Sequence, residues 1–391
     1  MNNYDVVVIG AGVIGTSCAY HLVEKGLKVA MFDFGDIASG TSSHCDAAAM
    51  ITDKMPGPDA ALGYASIQKF LKLSEKLDYD FGLIQRGSLY LCETDEEMEI
   101  ATGYISDLQK EGYRVRMMNQ KEMAEKEPFL AKDLPGGFWS DECCGLNPYK
   151  LCFAFTEQVK GKGLDVYTHT RVEAIGMDKN RNISYVDTNQ GRFHTKSVVN
   201  AAGCWSPEIG RMTGVKIPVA SRKGNIMISE ATTQICHQKV QEFGYMILKF
   251  GSKAERDPEL VKHGVAFTIE PSNEGHNVLV GSSRNFVDYN VDTDLEVIRV
   301  IAKRAIRFFP ILKSVNFVRA YAGCRPFMPD HLPVISAVEE IPGLYIATGH
   351  EGDGISMAPM TGELIAEMVT GQKPSMDIAP YSFSRLEDRF Y

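Results

Sequence analysis

The chain opens on Val6-Val7-Val8-Ile9 running straight into Gly10-Ala11-Gly12-Val13-Ile14-Gly15. Four β-favouring apolar residues that end in G-x-G-x-x-G can fold in few ways. Residues 16–25 are helical in pattern, Gly26 ends them, and a second apolar strand over 28–32 closes on Asp33. This strand–turn–helix–strand unit carries an acid about 20 residues past the glycines, the arrangement a dinucleotide site requires. Gly10 makes the tight turn, Gly12 lets the backbone approach a pyrophosphate, and Gly15 lets the helix pack on the strand. The unpaired N–H groups at the helix start face the phosphates. Asp33 is placed to accept the ribose hydroxyls of an adenosine.

At 391 residues the chain suits two domains. Its net charge of −9 gives no general attraction to nucleic acid or to an anionic membrane. No apolar run reaches the roughly 18 residues of a membrane span, and the N-terminal apolar run is already the first strand rather than a leader. The nine cysteines include no C-x-x-C pair, no metal-ligand spacing and no iron–sulfur pattern. They read as the reduced thiols of a cytoplasmic protein, with no metal. Cys143-Cys144 are adjacent, which is poor disulfide geometry.

Beyond Asp33, Phe34 leads to Ala38-Ser39-Gly40-Thr41-Ser42-Ser43 and then to Ala47-Ala48-Ala49-Met50. Small and hydroxyl residues directly after the acid strand suit a loop that runs along a cofactor and aims N–H and O–H donors at phosphate. Helical patterns cover 60–77, 95–111, 149–160, 295–308 and 361–369. Residues 82–92 and 114–117 read as strands, as does 166–169. A meander is expected over 172–177 and 183–187, turning at Asn189-Gln190-Gly191. The buried strand 197–202 runs into Gly203-Cys204-Trp205 and a helix start at Ser206-Pro207, a second close backbone approach to a ligand. From 215 to 322 the sequence is mostly strand-like, clearest in a hairpin of 265–270 and 278–282 joined around Asn273 to His276. The chain closes with a strand entering the loop Gly349-His350-Glu351-Gly352-Asp353-Gly354-Ile355-Ser356.

Glycine-rich signals therefore stand at both ends of the chain. One cofactor must gather N-terminal, middle and C-terminal segments, so the first domain is discontinuous. The expected fold is α/β, with an α+β substrate part. Residues 1–80, 146–215 and 323–391 form a Rossmann-like domain, and 81–145 and 216–322 form a substrate domain built on an antiparallel sheet.

Five pieces in this order resemble the D-amino acid oxidase-like flavoprotein family, which includes glycine and sarcosine oxidases. They are Gly10 to Gly15 with Asp33, the Ala38 to Ser43 loop, Val199-Asn200-Ala201-Ala202-Gly203, Gly323-Cys324-Arg325-Pro326, and Gly349 to Gly354. The family acid is usually Glu where this chain has Asp33. The resemblance spans nearly the whole chain and implies FAD rather than NAD. It implies cofactor contacts from Gly10, Gly12, Val13, Ile14, Gly15, Asp33, Phe34, Gly40, Thr41, Ser42 and Ser43. Further contacts come from Ala48, Ala49, Met50, Val172, Ala201, Ala202, Gly203, Trp205, Gly323 and Arg325, and in the last loop from Gly349, Gly352, Asp353, Gly354, Ile355 and Ser356. Some sarcosine oxidases attach flavin to a cysteine near Cys324. Counted back from Pro329-Asp330, that position falls at Gly323 here, which implies non-covalent FAD.

The resemblance also implies a reaction, oxidation of the C–N bond of a small amino or imino acid by hydride transfer to flavin N5. Within the family, Gly281-Ser282-Ser283-Arg284 and the last loop look most like the FAD subunits of hetero-oligomeric dehydrogenases. Those include hydrogen cyanide synthase, opine oxidase and the proline and hydroxyproline dehydrogenases. Partner subunits would then carry further redox centres. Arg325 is expected to pair with the substrate carboxylate, since a planar guanidinium gives bidentate, orienting contact. His350 and Glu351 are candidates for tuning flavin charge or accepting the amine proton. Tyr321, Met246 and Phe267 are expected in the core rather than in the pocket. Two other readings stand beside this one: a stand-alone glycine, sarcosine or D-amino acid oxidase using oxygen, and a non-catalytic FAD-bearing relay subunit.

Overall fold

In a computed structural model of the protein, residues 2–251, 256–272 and 275–386 are described. The N-terminal unit folds as its pattern predicts, with strand Val6–Ile9, helix Val13–Glu24 and strand Val29–Phe32. These lie in a six-stranded sheet ordered Val334–Ala337, Leu344–Thr348, Val198–Asn200, Val6–Ile9, Val29–Phe32 and Leu164–Tyr167. Every pairing is parallel except that of the edge strand Val334–Ala337. Helices cover one face. Val6, Val8, Val29 and Met31 pack there with Ala19, Leu22, Phe155 and Leu364. The meander Val172–Met177, Ile183–Thr188 and Gly191–His194 supplies Val172, Ile175, Val186 and Phe193 to the opposite face, against Val7, Ile9 and Phe32. Burial on both faces is why these strands read as unbroken apolar runs.

A nine-stranded mixed sheet forms the second half of the molecule. Its spine is a long antiparallel pair, Ala220–Ser229 and Phe317–Phe327, registered with Gly224 opposite Gly323 and Arg222 opposite Arg325. The helix Leu295–Phe308 lays Val297, Val300, Ile301 and Phe308 on this sheet, and Phe308 stacks on Phe267 at 5.1 Å. The strands Ser88–Cys92, Val115–Asn119 and Gly136–Ser140 extend the same sheet. The strands between 88 and 140 thus share one sheet with those between 220 and 327, whereas Ile84–Gln85 pairs with Cys144–Gly145 in a separate small sheet. Position 323, the expected start of the last segment, falls inside the strand Phe317–Phe327.

Four local readings need correction. Within 215–322 the chain forms two extra helices, Gly244–Phe250 and Pro258–His263. Each is too short to display a helical period, and Tyr245-Met246-Ile247 by composition favours a strand. The last helix starts at Gly354 rather than 361, and Pro359 lies inside it. Ala48–Ala49 is not free loop but a two-residue strand paired with Cys144–Gly145. The hairpin strands form as Thr268–Pro271 and Val278–Gly281, with Asn273 and Glu274 of their connection outside the described residues. All nine cysteines are unpaired, and eight of them are buried. Among the described residues, no helix is long and apolar enough to cross a membrane.

Candidate active site

Between the two sheets lies a cavity of about 530 Å³. Two helix N-termini open on it, those of Val13–Glu24 and Gly354–Val369, and neither N-cap residue, Gly12 or Asp353, caps its helix with its own side chain. Their free N–H groups and aligned dipoles make this rim favourable for anions. The glycine turn is sterically committed. Gly10 has φ of +108°, and a Cβ there would sit 2.5 Å from Ala201 O. A Cβ on Gly15 would meet Gly10 O at 1.8 Å. Ser42 Oγ accepts from Val13 N at 2.9 Å, tying the hydroxyl loop to the helix start. Thr41 Oγ1 donates to Cys324 O at 2.5 Å, tying that loop to the second sheet. Asp33 takes N–H bonds from Ala11 at 2.7 Å and Gly35 at 2.8 Å. Burial pushes its pKa up while those two donors oppose the rise. Phe34 and Trp205 meet edge to face at 5.1 Å above the same end.

These features fit a long dinucleotide: a backbone cradle that a Cβ would block, two helix N-termini, and an acid at the end of the second strand. The match to known proteins agrees. Residues 5–368 match the family described as FAD dependent oxidoreductase, DAO. The chain belongs to this family. It is 27% identical over 428 residues to the hydrogen cyanide synthase subunit HcnC of Pseudomonas aeruginosa, covering 98% of this chain and 96% of that protein. It is 26% identical to the glycine oxidase of Geobacillus kaustophilus, covering 98% and 97%. The crystal structure of L-proline dehydrogenase from P. horikoshii superposes with a TM-score of 0.89 at 25% identity, covering 99% of this chain and 98% of that one. The protein is thus an FAD-dependent oxidoreductase acting on amino acids.

Most of the expected flavoenzyme residues line the cavity: Gly10, Gly12, Val13, Ile14, Asp33, Phe34, Gly40, Thr41, Ser42, Val172, Ala201, Ala202, Gly203, Trp205, Gly323, Arg325, Gly352, Gly354 and Ile355. Eight do not line it. Gly15 is a packing glycine, and Ser43 turns to His44 Nδ1 at 3.0 Å. Ala48 and Ala49 are held in their strand. Met50 N donates to Ser356 Oγ at 3.2 Å behind the cavity wall. Gly349 abuts Met328. Asp353 is sequestered by Lys54 at 2.7 Å and Lys249 at 2.7 Å.

Arg325 points into the cavity. Its Nη1 donates to Ser283 O at 2.9 Å, and among the described residues no carboxylate pairs with it. The guanidinium lies over Gly224, where a Cβ would fall 2.4 Å from Nη1. His350 and Glu351 also line the cavity but are otherwise engaged. Burial pushes the His350 imidazole down to about 3, against the pull of Asp353, and its Nε2 sits 3.0 Å from Thr361 Oγ1. It is neutral at physiological pH and a weak base. Glu351 ion-pairs with Arg284 and with Arg222 at 3.2 Å. Burial alone would raise its pKa, but Arg284 and its neighbours hold it below the ordinary range. It is a fixed counter-ion for two arginines. Cys324 does not line the cavity, because alternation along its strand turns it away from the face of Gly323 and Arg325. Met246 and Phe267 stay in the core, and Tyr321 donates its hydroxyl to Cys45 O at 3.2 Å.

Sequence reasoning missed Asp46, Gly224, Tyr245, Glu208 and Met212, all of which line the cavity. Gly224 and Tyr245 become visible only through strand register and a short helix. Asp46 lay between two loop segments that did attract notice, and it carries no motif of its own.

Proposed function

We propose that this protein oxidises the C–N bond of a small amino or imino acid of the proline or hydroxyproline type, as the FAD subunit of a dehydrogenase complex. The observation that carries the reading is Arg325: a guanidinium at the wall of the cavity, fixed by Ser283 O and lacking a carboxylate partner among the described residues. FAD, when bound, supplies the two-electron acceptor for the C–N bond. The chain's own residues do the rest. The glycine turn, Ser42 and the N-terminus of Val13–Glu24 would hold phosphate, and the N-terminus of Gly354–Val369 would face the flavin and favour its anionic reduced form. Asp33 holds ribose. Arg325 would orient the substrate by its carboxylate. Cys324 faces away from the cavity, which supports FAD held without a covalent bond. Support for the substrate class comes from the fold shared with L-proline dehydrogenase, and support for a partner comes from the subunit nature of HcnC.

The test is an anaerobic screen of D-proline, cis-4-hydroxy-D-proline, L-proline, sarcosine, glycine and D-alanine for bleaching of the flavin absorbance. A cyclic imino acid is expected to bleach it, and Arg325→Ala is expected to keep the flavin spectrum and lose the response. Loss of a charge-assisted contact costs about 2–5 kcal/mol. An unchanged kcat/KM in that variant would end the assignment of Arg325. The glycine oxidase similarity favours a second reading, a stand-alone oxidase. Rapid peroxide formation from glycine by the purified chain would select it.

A further inference from the structure

We propose that Asp46 is the carboxylate that recognises the ammonium group of the substrate, opposite Arg325, and that Lys239 and Glu270 hold it in place. The inference rests on the reading of Arg325 above and adds a second pole to the same site.

The loop 44–46 packs along the strand face that carries Arg325. Tyr321 donates to Cys45 O at 3.2 Å, and the missing Cβ of Gly323 would lie 2.5 Å from His44 O. Tyr321, Gly323 and Arg325 alternate onto one face of their strand, so this loop brings Asp46 to the wall of the same cavity, near enough to feel the charge of Arg325. Asp46 Oδ2 accepts from Lys239 Nζ at 2.7 Å. The same ammonium lies 3.1 Å from Glu270 Oε2, while Glu270 Oε1 accepts from Ala47 N at 2.7 Å. Glu270 thus anchors both the lysine and the backbone next to Asp46. Neither Lys239 nor Glu270 lines the main cavity, and their side chains are only 4% and 5% exposed. The Asp46 side chain keeps 28% exposure and lines it. Among the described residues its Oδ1 has no hydrogen-bond partner.

One ammonium shared by two carboxylates leaves one formal negative charge. Burial works against ionisation of Asp46, but Lys239 and Arg325 overturn it and hold the group below the ordinary carboxylate range. Burial raises Glu270 while Lys239 opposes the rise, and of the two carboxyl groups only Asp46 lines the cavity. Arg325 therefore offers the cavity a cation without a carboxylate partner among the described residues, and Asp46 offers it an anion through Oδ1. An α-amino acid carries both complementary charges. A ligand with the carboxylate alone leaves Asp46 desolvated and unanswered, which costs more than the lost contact itself.

The experiment compares KM for proline with Ki for cyclopentanecarboxylate, the same ring and acid without nitrogen, in holoprotein carrying wild-type Asp46, Asp46→Asn or Asp46→Glu. Glycine against acetate forms a second pair. A hydrogen bond to a charged group predicts a rise in KM of about 10- to 100-fold in Asp46→Asn. Ki for the amine-free acid should hold or fall, because the unanswered charge is gone, and Asp46→Glu should keep the preference for the amine. A merely structural role would weaken both ligands together. Equal loss for both, or no loss for either, overturns the proposal. If Asp46→Asn does not retain flavin, Asp46→Ser takes its place in the same comparison. Wild-type protein that binds the acids but neither amino acid overturns Asp46 and leaves Arg325 standing. Wild-type protein that binds none of the four ligands removes the reading of Arg325, and Asp46 with it.

Discussion

Replacing Gly224 by alanine separates the substrate site from the fold. A Cβ at 224 would sit 2.4 Å from both Nη1 and Nη2 of Arg325 and 2.6 Å from Cζ. Ordinary contact begins near 3.5 Å, so the guanidinium must withdraw by about 1 Å. What stands in the way is the end of a flexible side chain, not backbone. The antiparallel pairing of Gly224 with Gly323 and the sheet around it can therefore persist. The bond from Arg325 Nη1 to Ser283 O, 2.9 Å long, cannot survive that withdrawal unchanged. A misplacement of about 1 Å in a substrate-positioning group can cost on the order of 100-fold in rate. We expect Gly224→Ala to bind FAD fully, to melt within about 2 °C of the wild type, and to lose about 10- to 100-fold in kcat/KM. Steady-state kinetics, flavin absorbance and thermal unfolding on one preparation give all three values. A kcat/KM within about twofold of wild type would show that Arg325 does not position the substrate. Loss of flavin in proportion to activity would show that Gly224 serves the cofactor instead.

The glycine turn should respond in the opposite way. In Gly15→Ala the new Cβ meets backbone, Gly10 O at 1.8 Å, so an overpacking cost of about 1–3 kcal/mol should appear as lower FAD content and a lower melting temperature together. Asp59 is buried and its pKa is raised to about 7, first by burial and then by Asp353 over the opposing lysines. Its neutral form is the one the fold prefers, so its contribution is complete at low pH and is lost as pH rises toward about 7. Asp59→Asn should therefore gain stability over wild type at pH 8 relative to pH 4.5, measured by denaturant unfolding; a gap that shrinks with pH would reverse the assignment. Cys324→Ser should purify with full FAD that acid precipitation releases, and flavin retained by the wild-type pellet would mean a covalent link.

Much of the first half was legible because its signals are local. The run Val6 to Ile9, the glycine spacing and Asp33 lie within one βαβ unit, where each residue type answers a backbone need met by near neighbours. The helices Pro58–Lys76, Asp95–Lys110 and Leu295–Phe308 are long enough for their apolar period to appear, and Thr94 and Asp294 cap the second and third by accepting from backbone N–H. The helices Gly244–Phe250 and Pro258–His263 span two turns or fewer, so no period distinguishes them from strands. The start at Gly354 was hidden by Pro359, which reads as a break although it lies inside the helix.

The substrate side of the site was illegible for a different reason. Its members meet through β register, and register is set by pairing between segments about a hundred residues apart. A one-residue slip between Ala220–Ser229 and Phe317–Phe327 would turn Arg325 away from the cavity and bring Cys324 in. Motif resemblance could name Arg325, but only the register shows Gly224 making room for its guanidinium. The same holds for Glu351. Beside a glycine-rich loop it reads as an available base, whereas folding brings Arg284 and Arg222 from two separate strand regions onto its carboxylate. Asp46 is the converse case. It sits in an unremarkable loop, yet Lys239 and Glu270 reach it from a distant part of the sheet and fix it at the cavity wall. In this fold the nucleotide cradle is written in consecutive residues, while the groups that would read the substrate are assembled across the sheet, and their charge states exist only once that sheet has formed.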